Sequence, residues 1–316
     1  MRLPARPVDL YFALVTALME SVRMTGSLTL GRLFSKAAAT AAYGLSPVRR
    51  RQKERALALA FGSLERHEAR RIVTGSFLNF WEDLFLELGV ERPERKGGAL
   101  LEGEEHLDAA LVRGNGAILW ESNSFGRRAL AKEILASHGH RLVQLHIENH
   151  LGGLHNDGLD RSWLREKVLN RCWEAREMEY LEEIIRLPRD GSLAYARTLR
   201  HRLRANKIIC SAADGNWGEK TMATPFLGGV RHFSTGMVSL SRLTGAPLMP
   251  LFCYRETDGR FRVRIDPPLA HPPRIEREEA TRRTLAEFAR LLESCVKDHP
   301  EQYHAWHNVP GERGRI

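Results

Sequence analysis

Two short apolar runs, separated by a polar loop and a helix, constrain the fold of this chain more than any other feature. The runs occupy residues 207–212 and 248–254, and runs of this length are typical of buried strands. Between them, Asp214-Gly215 predicts a turn, and Ser234-Thr235-Gly236 predicts the cap of a helix. The order strand, loop, helix, strand is that of an open α/β sheet, in which ligands bind beyond the carboxyl ends of the strands.

The same alternation continues through much of the chain. It predicts a mostly parallel central sheet flanked by helices. We expect residues 1–97 to form an N-terminal helical region that associates with a membrane, and residues 98–316 to form the α/β domain, with a loose boundary at Gly97-Gly98. The further strands are predicted at residues 117–120, 141–146 and 261–265, and the helices at residues 65–88, 127–137, 162–185, 192–204, 237–243 and 276–297.

The chain carries an excess of positive charge. Its formal net charge is +9 over 316 residues, which favours anionic partners such as a membrane surface, a phosphorylated ligand or nucleic acid. Residues 8–34 are apolar but are interrupted by Glu20 and Arg23, so they are too short for a bilayer crossing. They predict an interfacial helix next to the basic residues 49–51, a cover over an apolar pocket, or an ordinary buried helix. We favour an anionic membrane surface and expect no nucleic acid.

Several motifs stand in a fixed order along the chain. No single one is diagnostic, but together they resemble the lauroyl and myristoyl transferase branch of the bacterial lipid A late acyltransferases, within the lysophospholipid acyltransferase superfamily. The resemblance extends over nearly the whole chain. The motifs are residues 55–61 (RALALAF), 187–191 (LPRDG), 213–219 (ADGNWGE), 225–228 (PFLG), 244–251 (TGAPLMPL) and 299–307 (HPEQYHAWH).

The resemblance implies an acyltransferase of lipid biosynthesis. Such an enzyme moves a fatty acyl group from an acyl thioester, on acyl carrier protein or coenzyme A, to a lipid, a glycolipid or a small amine or alcohol. The thioester is a co-substrate, and no other cofactor is implied. The protein would lie at the cytoplasmic face of the bacterial inner membrane, either peripherally or through one N-terminal helix.

The first motif of that family is missing from this chain. Members carry His-x-x-x-x-Asp or His-x-x-x-x-Glu directly after the first core strand, and the His takes the proton from the acceptor. Here the strand continues into residues 121–128, which read ESNSFGRR. In one register Ser124 takes the place of the His, and in the other Asn123 does. Neither a hydroxyl nor an amide accepts a proton near neutral pH, so an enzyme of this kind needs either a different base or a basic acceptor, such as an amine with a lowered pKa, that requires little help with its proton.

Glu121 is the nearest candidate for that base. Its position at the end of an apolar strand predicts that burial raises its pKa towards the working range. The alternative is an ion pair with Arg127 or Arg128, which leaves Glu121 without a catalytic role. His155 and Asp160 have the spacing of the missing pair, but they fall in a loop that varies in the family, and Asp160 fits a helix N-cap.

The remaining candidates follow strand ends. The two arginines open a helix and are suited to phosphates, although a solvated helix end is the alternative. Asp214 either orients a base or acceptor, or bonds its own turn. The predicted catalytic group is Glu121, Asn123, Ser124 and Asp214, and the predicted substrate-binding group is Arg127, Arg128, Arg231 and Thr235. No metal site is expected, because the four cysteines lie far apart and no His stands at metal spacing.

Two functions remain open. One is an acyltransferase with a divergent active site, and the other is a lipid- or acyl-binding member of the same fold that has lost the chemistry. The missing His favours the second function, whereas the third and fourth motifs favour the first. The closing histidines, His304 and His307, are expected to pack with the aromatic residues around them.

Overall fold

A seven-stranded sheet lies at the centre of the fold. The computed structural model describes residues 7–87, 99–147, 163–187, 194–214, 220–270 and 276–309. The strands are β1 Ala99–Glu102, β2 Ala117–Glu121, β3 Leu142–Ile147, β4 Leu181–Leu187, β5 Ile208–Ala212, β6 Thr221–Phe226, β7 Gly229–Ser234, β8 Leu248–Arg255 and β9 Phe261–Ile265. Strands β6 and β7 form a separate antiparallel hairpin.

The order of the central sheet is β1-β9-β8-β2-β5-β3-β4. Neighbouring strands are parallel except β8 and β9, which are antiparallel. The prediction of a mostly parallel sheet is therefore confirmed. Every residue of β2 is buried, as expected for a strand that is covered on both faces.

Helices cover the sheet and precede it. The N-terminal helical region is confirmed as α1 Pro7–Met24, α2 Leu28–Leu45, α3 Pro47–Phe61 and α4 Arg66–Glu87. The later helices are α5 Glu104–Val112, α6 Arg128–Ser137, α7 Asn170–Glu177, α8 Ala194–Arg204, α9 Gly236–Thr244 and α10 Arg277–Asp298. Short segments of π-helix, Arg165–Leu169, and of 3₁₀-helix, Pro300–Gln302 and Trp306–Asn308, complete the elements.

The apolar segment predicted at residues 8–34 forms parts of two helices. α1 ends at Met24 and α2 begins at Leu28, with Gly26 in a left-handed conformation between them. Across the described ranges, no helix has the length and hydropathy that crossing a bilayer would require.

The helix predicted over residues 162–185 is wrong at its carboxyl end. The chain leaves the helical conformation after α7 and continues as β4, an edge strand paired only with β3. Its acidic residues resemble a helix surface, but an edge strand also leaves charges near solvent. Glu182 and Glu183 pair there with Lys207 and Arg202, both at 2.5 Å.

The helical region and the sheet share a hydrophobic core. One buried cluster joins Met19 of α1 and Leu57 of α3 to Ile118 and Trp120 of β2. Leu119 faces the opposite side of the sheet and belongs to a second cluster. The boundary proposed at Gly97-Gly98 lies outside the described residues.

The closing segment returns to the loop that follows β2. Phe125 and Tyr303 form an antiparallel bridge, and the Gly126 N–H donates to the Gln302 carbonyl at 3.1 Å. Gly126 has φ +76°, and a Cβ at this position would collide with the Cys253 carbonyl of β8. A glycine is therefore required where the loop crosses the sheet edge.

Candidate active site

Two strand ends bring the predicted site residues together. β2 and β5 are parallel neighbours, and the Ala213 N–H continues their pairing by donating to the Glu121 carbonyl at 2.8 Å. Asp214 follows directly and lies beside Ser122 and Asn123. The sheet edge therefore places Asp214 against the loop that follows β2.

Asp214 is the centre of a buried hydrogen-bonded group. Its Oδ1 accepts from the Asn123 backbone N–H at 2.5 Å, and its Oδ2 accepts from the Ser122 hydroxyl at 2.9 Å. Nη2 of Arg231, on β7, donates to the same Oδ2 at 2.9 Å and to the Ser124 hydroxyl at 3.0 Å. One carboxylate thus joins the β2 loop, the end of β5 and the hairpin.

Glu121 belongs to a different group. Its Oε1 accepts from Arg128 Nη2 at 2.7 Å and from Lys132 Nζ at 3.0 Å, and its side chain is 2% exposed. Burial alone would raise the pKa of Glu121, but the charges and hydrogen bonds of the two cations outweigh it and lower the pKa to about 2. The expected rise is therefore corrected: the alternative of an ion pair is what forms, and a carboxylate with this pKa is a weak base.

The two arginines point to different places. Arg127 is 1% exposed, and its guanidinium donates to the Asn79 carbonyl and side chain on α4 and pairs with Glu82 at 2.7 Å. It therefore ties the start of α6 to α4. Arg128 instead reaches Asn123 Oδ1 at 2.5 Å as well as Glu121, at the rim of the strand edge. The Arg128 side chain is the more exposed of the two, at 13%.

Thr235 lies apart from the Asp214 group. It is the N-cap residue of α9, as predicted, but its hydroxyl accepts no hydrogen bond from a backbone N–H of the helix and instead donates to the Lys220 carbonyl at 2.9 Å. In the described part of the chain, no hydrogen bond joins it to Asp214 or Arg231. The hairpin that carries Arg231 was not predicted, although residues 225–228, at the end of β6 and in the turn before β7, were singled out as a motif.

The closing segment adds residues that the sequence did not indicate as part of the site. Tyr303 is fully buried, with its ring 5.8 Å from the Arg231 guanidinium carbon. His304 follows, half-buried, and its backbone N–H donates to the Ser124 carbonyl at 3.0 Å. The expected packing is confirmed for the His304 ring, which lies 5.6 Å from that of Phe80, edge to face.

Of two further residues at the site, Lys132 could have been inferred from the sequence and Ser122 could not. Lys132 stands one helical turn after Arg128, and this spacing indicates that the two cations share a face of α6. Ser122 carries no such signal, because its role depends on Asp214, which is 92 residues away in sequence.

Some of the predicted features fall outside the described residues. These are residues 215–219 and 188–191 of the motifs, together with the pair His155 and Asp160. Among the residues that are described, no cluster of His, Cys, Asp or Glu is arranged to hold a metal ion.

Comparison with known proteins agrees with the motifs. The model of the family "Bacterial lipid A biosynthesis acyltransferase" matches residues 164–309, a little under half of the chain. The resemblance to this family is thereby confirmed. A phosphatidylinositol mannoside acyltransferase of Mycobacterium tuberculosis is 27% identical over 190 residues, which are 58% of this chain and 54% of that protein. Its counterpart from a second strain is 26% identical over the same length.

The region matched by the lipid A acyltransferase model contains some of the candidate site residues and not others. Asp214, Arg231, Thr235 and the closing segment lie inside residues 164–309, whereas the loop from Glu121 to Arg128 lies outside them. The chain spans about half the length of the curated relatives it matches, with 54% of each covered.

Proposed function

We propose that this chain is an acyltransferase that moves a fatty acyl group from an acyl thioester, on acyl carrier protein or coenzyme A, to a lipid, a glycolipid or a small amine or alcohol. One observation carries the proposal. Asp214 and Arg231, both within the region similar to lipid A acyltransferases, form one buried group with the loop that follows β2. That group lies at the carboxyl edge of the sheet, where open α/β folds bind ligands.

Arg128 is the proposed contact for the donor. Its guanidinium lies at the start of α6, where the helix dipole also favours an anion. Guanidinium groups bind phosphate through paired hydrogen bonds, and both coenzyme A and the phosphopantetheine arm of a carrier protein present phosphates. The net charge of +9 favours the approach of either donor.

An apolar face on the first helices supports a membrane-bound acceptor. Leu10, Leu14 and Leu18 are spaced by four residues along α1, and Leu14 is 68% exposed. Near the junction of α2 and α3, the exposed Leu45 and Val48 adjoin the basic residues 49–51. Exposed apolar side chains beside basic ones favour an anionic lipid surface. We propose peripheral binding at the cytoplasmic face of a bacterial inner membrane.

Vesicle binding tests this surface. The double variant Leu10→Ser, Leu14→Ser is expected to bind vesicles containing anionic lipid about tenfold or more weakly. The reason is that two exposed leucine side chains that would be buried in the lipid on binding are replaced by polar ones. Val112→Ser is the matched control, since Val112 on α5 is 88% exposed but lies outside this face. Equal binding by both variants would contradict the proposed orientation.

A second function is favoured by a specific observation. Glu121 is held as an ion pair and Asp214 is engaged by Arg231, so neither carboxylate is placed as an obvious general base. This arrangement suits a lipid- or acyl-binding protein that uses the same cleft without turnover.

Turnover distinguishes the two functions. Purified protein is incubated with acyl-coenzyme A or acyl carrier protein thioesters of different chain length and with a bacterial lipid extract. Released thiol and acylated product are then followed by mass spectrometry. Equal amounts of thiol and product support the acyltransferase, whereas saturable thioester binding without either favours the binding protein.

Arg128→Ala is the informative variant for the donor site. Arg127→Ala would confuse loss of binding with loss of structure, because Arg127 ties α6 to α4. We expect Arg128→Ala to raise the dissociation constant for acyl-coenzyme A by about tenfold, because a paired hydrogen bond to phosphate is lost. For the same reason the variant should bind acyl-coenzyme A and its dephospho form with similar affinity.

A further inference from the structure

Helix α8 carries a positively charged face. Its sequence, AYARTLRHRLR, contains no acidic residue. Arg197, Arg200 and Arg204 lie within about 60° of one another around the helix axis at 3.6 residues per turn, and all three are exposed. Leu199 and Leu203 lie on the opposite side and are buried in the core. The helix therefore presents its three exposed arginines, the α8 face, together to the solvent.

The α8 face has no counter-charge in the part of the chain that the structure describes. The acidic residues of the edge strand β4 are already paired, Glu183 with Arg202 and Glu182 with Lys207, each at 2.5 Å. Among the described residues, no carboxylate forms an ion pair with an arginine of the α8 face. The three charges therefore add to one another and attract an anionic partner.

Helix α10 shows the opposite arrangement. Its Arg282 and Arg283 are exposed too, at 59% each, but Glu278 and Glu279 pair with them from one turn earlier, at 3.0 and 2.8 Å. This helix neutralises its exposed arginines with its own carboxylates. The unneutralised charge of α8 is thus a feature of that helix and is not shared by every exposed helix of the fold.

The α8 face also differs from the apolar face of α1. No large apolar side chain of α8 is exposed, whereas Leu10 and Leu14 of α1 are 58% and 68% exposed. Amphipathic helices bind a bilayer by burying such side chains. Arginines without exposed apolar neighbours fit an acidic protein surface better, because charge complementarity steers the approach of such a partner and sets its orientation.

The position of α8 connects this face with the candidate active site. The chain leaves β4 at its carboxyl end, Leu187, and enters the parallel strand β5 at its amino end, Ile208, so α8 runs back across the sheet. The helix packs against β5, and Asp214 follows that strand. From Ala194 to Arg204 the helix is about 15 Å long. A partner bound along α8 therefore lies near the strand end that carries the site.

We propose that the α8 face is the docking surface for a small acidic carrier protein, which brings the acyl chain as a thioester on a phosphopantetheine arm. This inference rests on the proposed function, and it selects the protein-bound donor of the two donors considered there. The acidic surface of the carrier meets the arginines of α8, while its arm reaches over the carboxyl edge of the sheet towards Asp214. Free coenzyme A presents no such surface, so its binding does not depend on α8.

Paired substitutions on two helices test the docking surface. Arg197→Gln with Arg200→Gln removes two charges from α8, and Arg282→Gln with Arg283→Gln removes the same number from α10 as the control. The probe is a bacterial acyl carrier protein, fluorescently labelled and loaded with palmitate. Anisotropy gives its dissociation constant at low and at high salt. The value of kcat/KM is measured with this donor and with palmitoyl-coenzyme A, and the melting temperature of each variant checks its folding.

The expected result is a loss that is specific to the carrier. The α8 variant should bind the carrier at least about fivefold more weakly at low salt, because two exposed ion pairs across the interface are lost. The difference should shrink at about 0.5 M salt, where charges on the surface are screened. With the carrier-bound donor kcat/KM should fall by a similar factor, whereas with palmitoyl-coenzyme A it should stay within about twofold of wild type. The α10 variant should match wild type with both donors.

Several results would overturn the docking surface. These are equal losses in the two variants, carrier binding that neither variant changes, and wild-type protein that uses palmitoyl-coenzyme A but does not bind the carrier. The acyltransferase function stands in each case if wild-type protein forms the acylated product. Loss of binding to anionic vesicles in the α8 variant, with carrier binding unchanged, would assign the face to a membrane instead. Carrier binding that depends on α8, but without any product, would overturn the acyltransferase function and leave the docking surface standing.

Discussion

Two carboxylates end neighbouring strands of the same sheet, and their surroundings differ. Glu121, on β2, has both of its cationic partners on one helix, α6. Asp214, after β5, bonds to groups on the β2 loop and on the β6–β7 hairpin, and of these groups Arg231 is the cation. Glu121 fastens a helix to a strand, whereas Asp214 holds the β2 loop, the end of β5 and the hairpin together.

The difference separates a structural charge from a site charge. The Glu121 side chain is 2% exposed and is held by two cations of α6, so we expect this carboxylate itself to contribute to stability rather than to meet a ligand. A carboxylate shared among segments fixes their relative positions and remains next to the groups that would meet a substrate. A low pKa at a strand end is therefore not by itself evidence of catalysis.

Glu121→Gln should have the largest effect on stability. The change leaves Arg128 and Lys132 without their counter-charge, and removing one partner of a buried ion pair costs about 3–5 kcal/mol. Urea denaturation at pH 7 measures the free energy of unfolding. Adding Lys132→Met should recover part of the loss, and an unchanged free energy in the single variant would break the comparison.

Lowering the pH should reduce the free energy of unfolding of the wild-type protein, because Glu121 becomes protonated and its ion pair is lost. The pKa of Glu121 lies at about 2, below its ordinary value of 4.5, so its contribution is full above about pH 4.5 and is lost as the pH falls towards 2. Linkage then gives a contribution about 2 kcal/mol smaller at pH 3 than at pH 7. Denaturation curves at both pH values measure it. The difference between wild type and Glu121→Gln isolates this contribution from that of other carboxylates.

Asp214→Asn should separate turnover from stability. The amide keeps one oxygen for Ser122 or Asn123 and leaves one buried cation, Arg231, without its charge partner, so we expect a loss of about 3 kcal/mol, the lower end of the range for breaking a buried pair. In the proposed acyltransferase, turnover should fall by about 100-fold, because the loop after β2 is no longer held against the hairpin and small displacements at a site are costly. A variant as active as wild type would place Asp214 with Glu121 among the structural charges.

Arg128→Gln should have the smallest effect on stability. Glu121 keeps Lys132 at 3.0 Å as its counter-charge, so the carboxylate is not left uncompensated and we expect a loss of about 1–2 kcal/mol, from the hydrogen bonds of Arg128. The same denaturation assay measures this loss. A loss as large as that of Glu121→Gln would mean that Arg128 alone compensates the carboxylate.

Hydrophobic pattern and turn residues were enough to predict several strands and one helix of the fold. The apolar runs of β2, β5 and β8 and the helix after Thr235 follow from hydrophobic pattern and turn residues. β4 was misassigned because Glu182 and Glu183 fit a helix surface, and their partners Lys207 and Arg202 come from later in the chain.

The site was predicted only in part for the same reason. Glu121 and Arg128 are seven residues apart, so their ion pair could be considered as an alternative from sequence. The contacts that set the direction of each arginine, and the approach of His304 to Ser124, join segments that no local pattern connects. The sequence shows which residues at the site are charged, but it does not show which of them pair when the partners come from distant segments.

The pairing between residues 124–126 and 302–304 also determines when the cleft can form during synthesis. Ribosomes deliver the β2 loop long before the segment that completes its wall, and closing so long a loop is slow as well as entropically costly. A nascent chain therefore carries the β2 loop without its pairing segment until nearly the whole described fold has emerged.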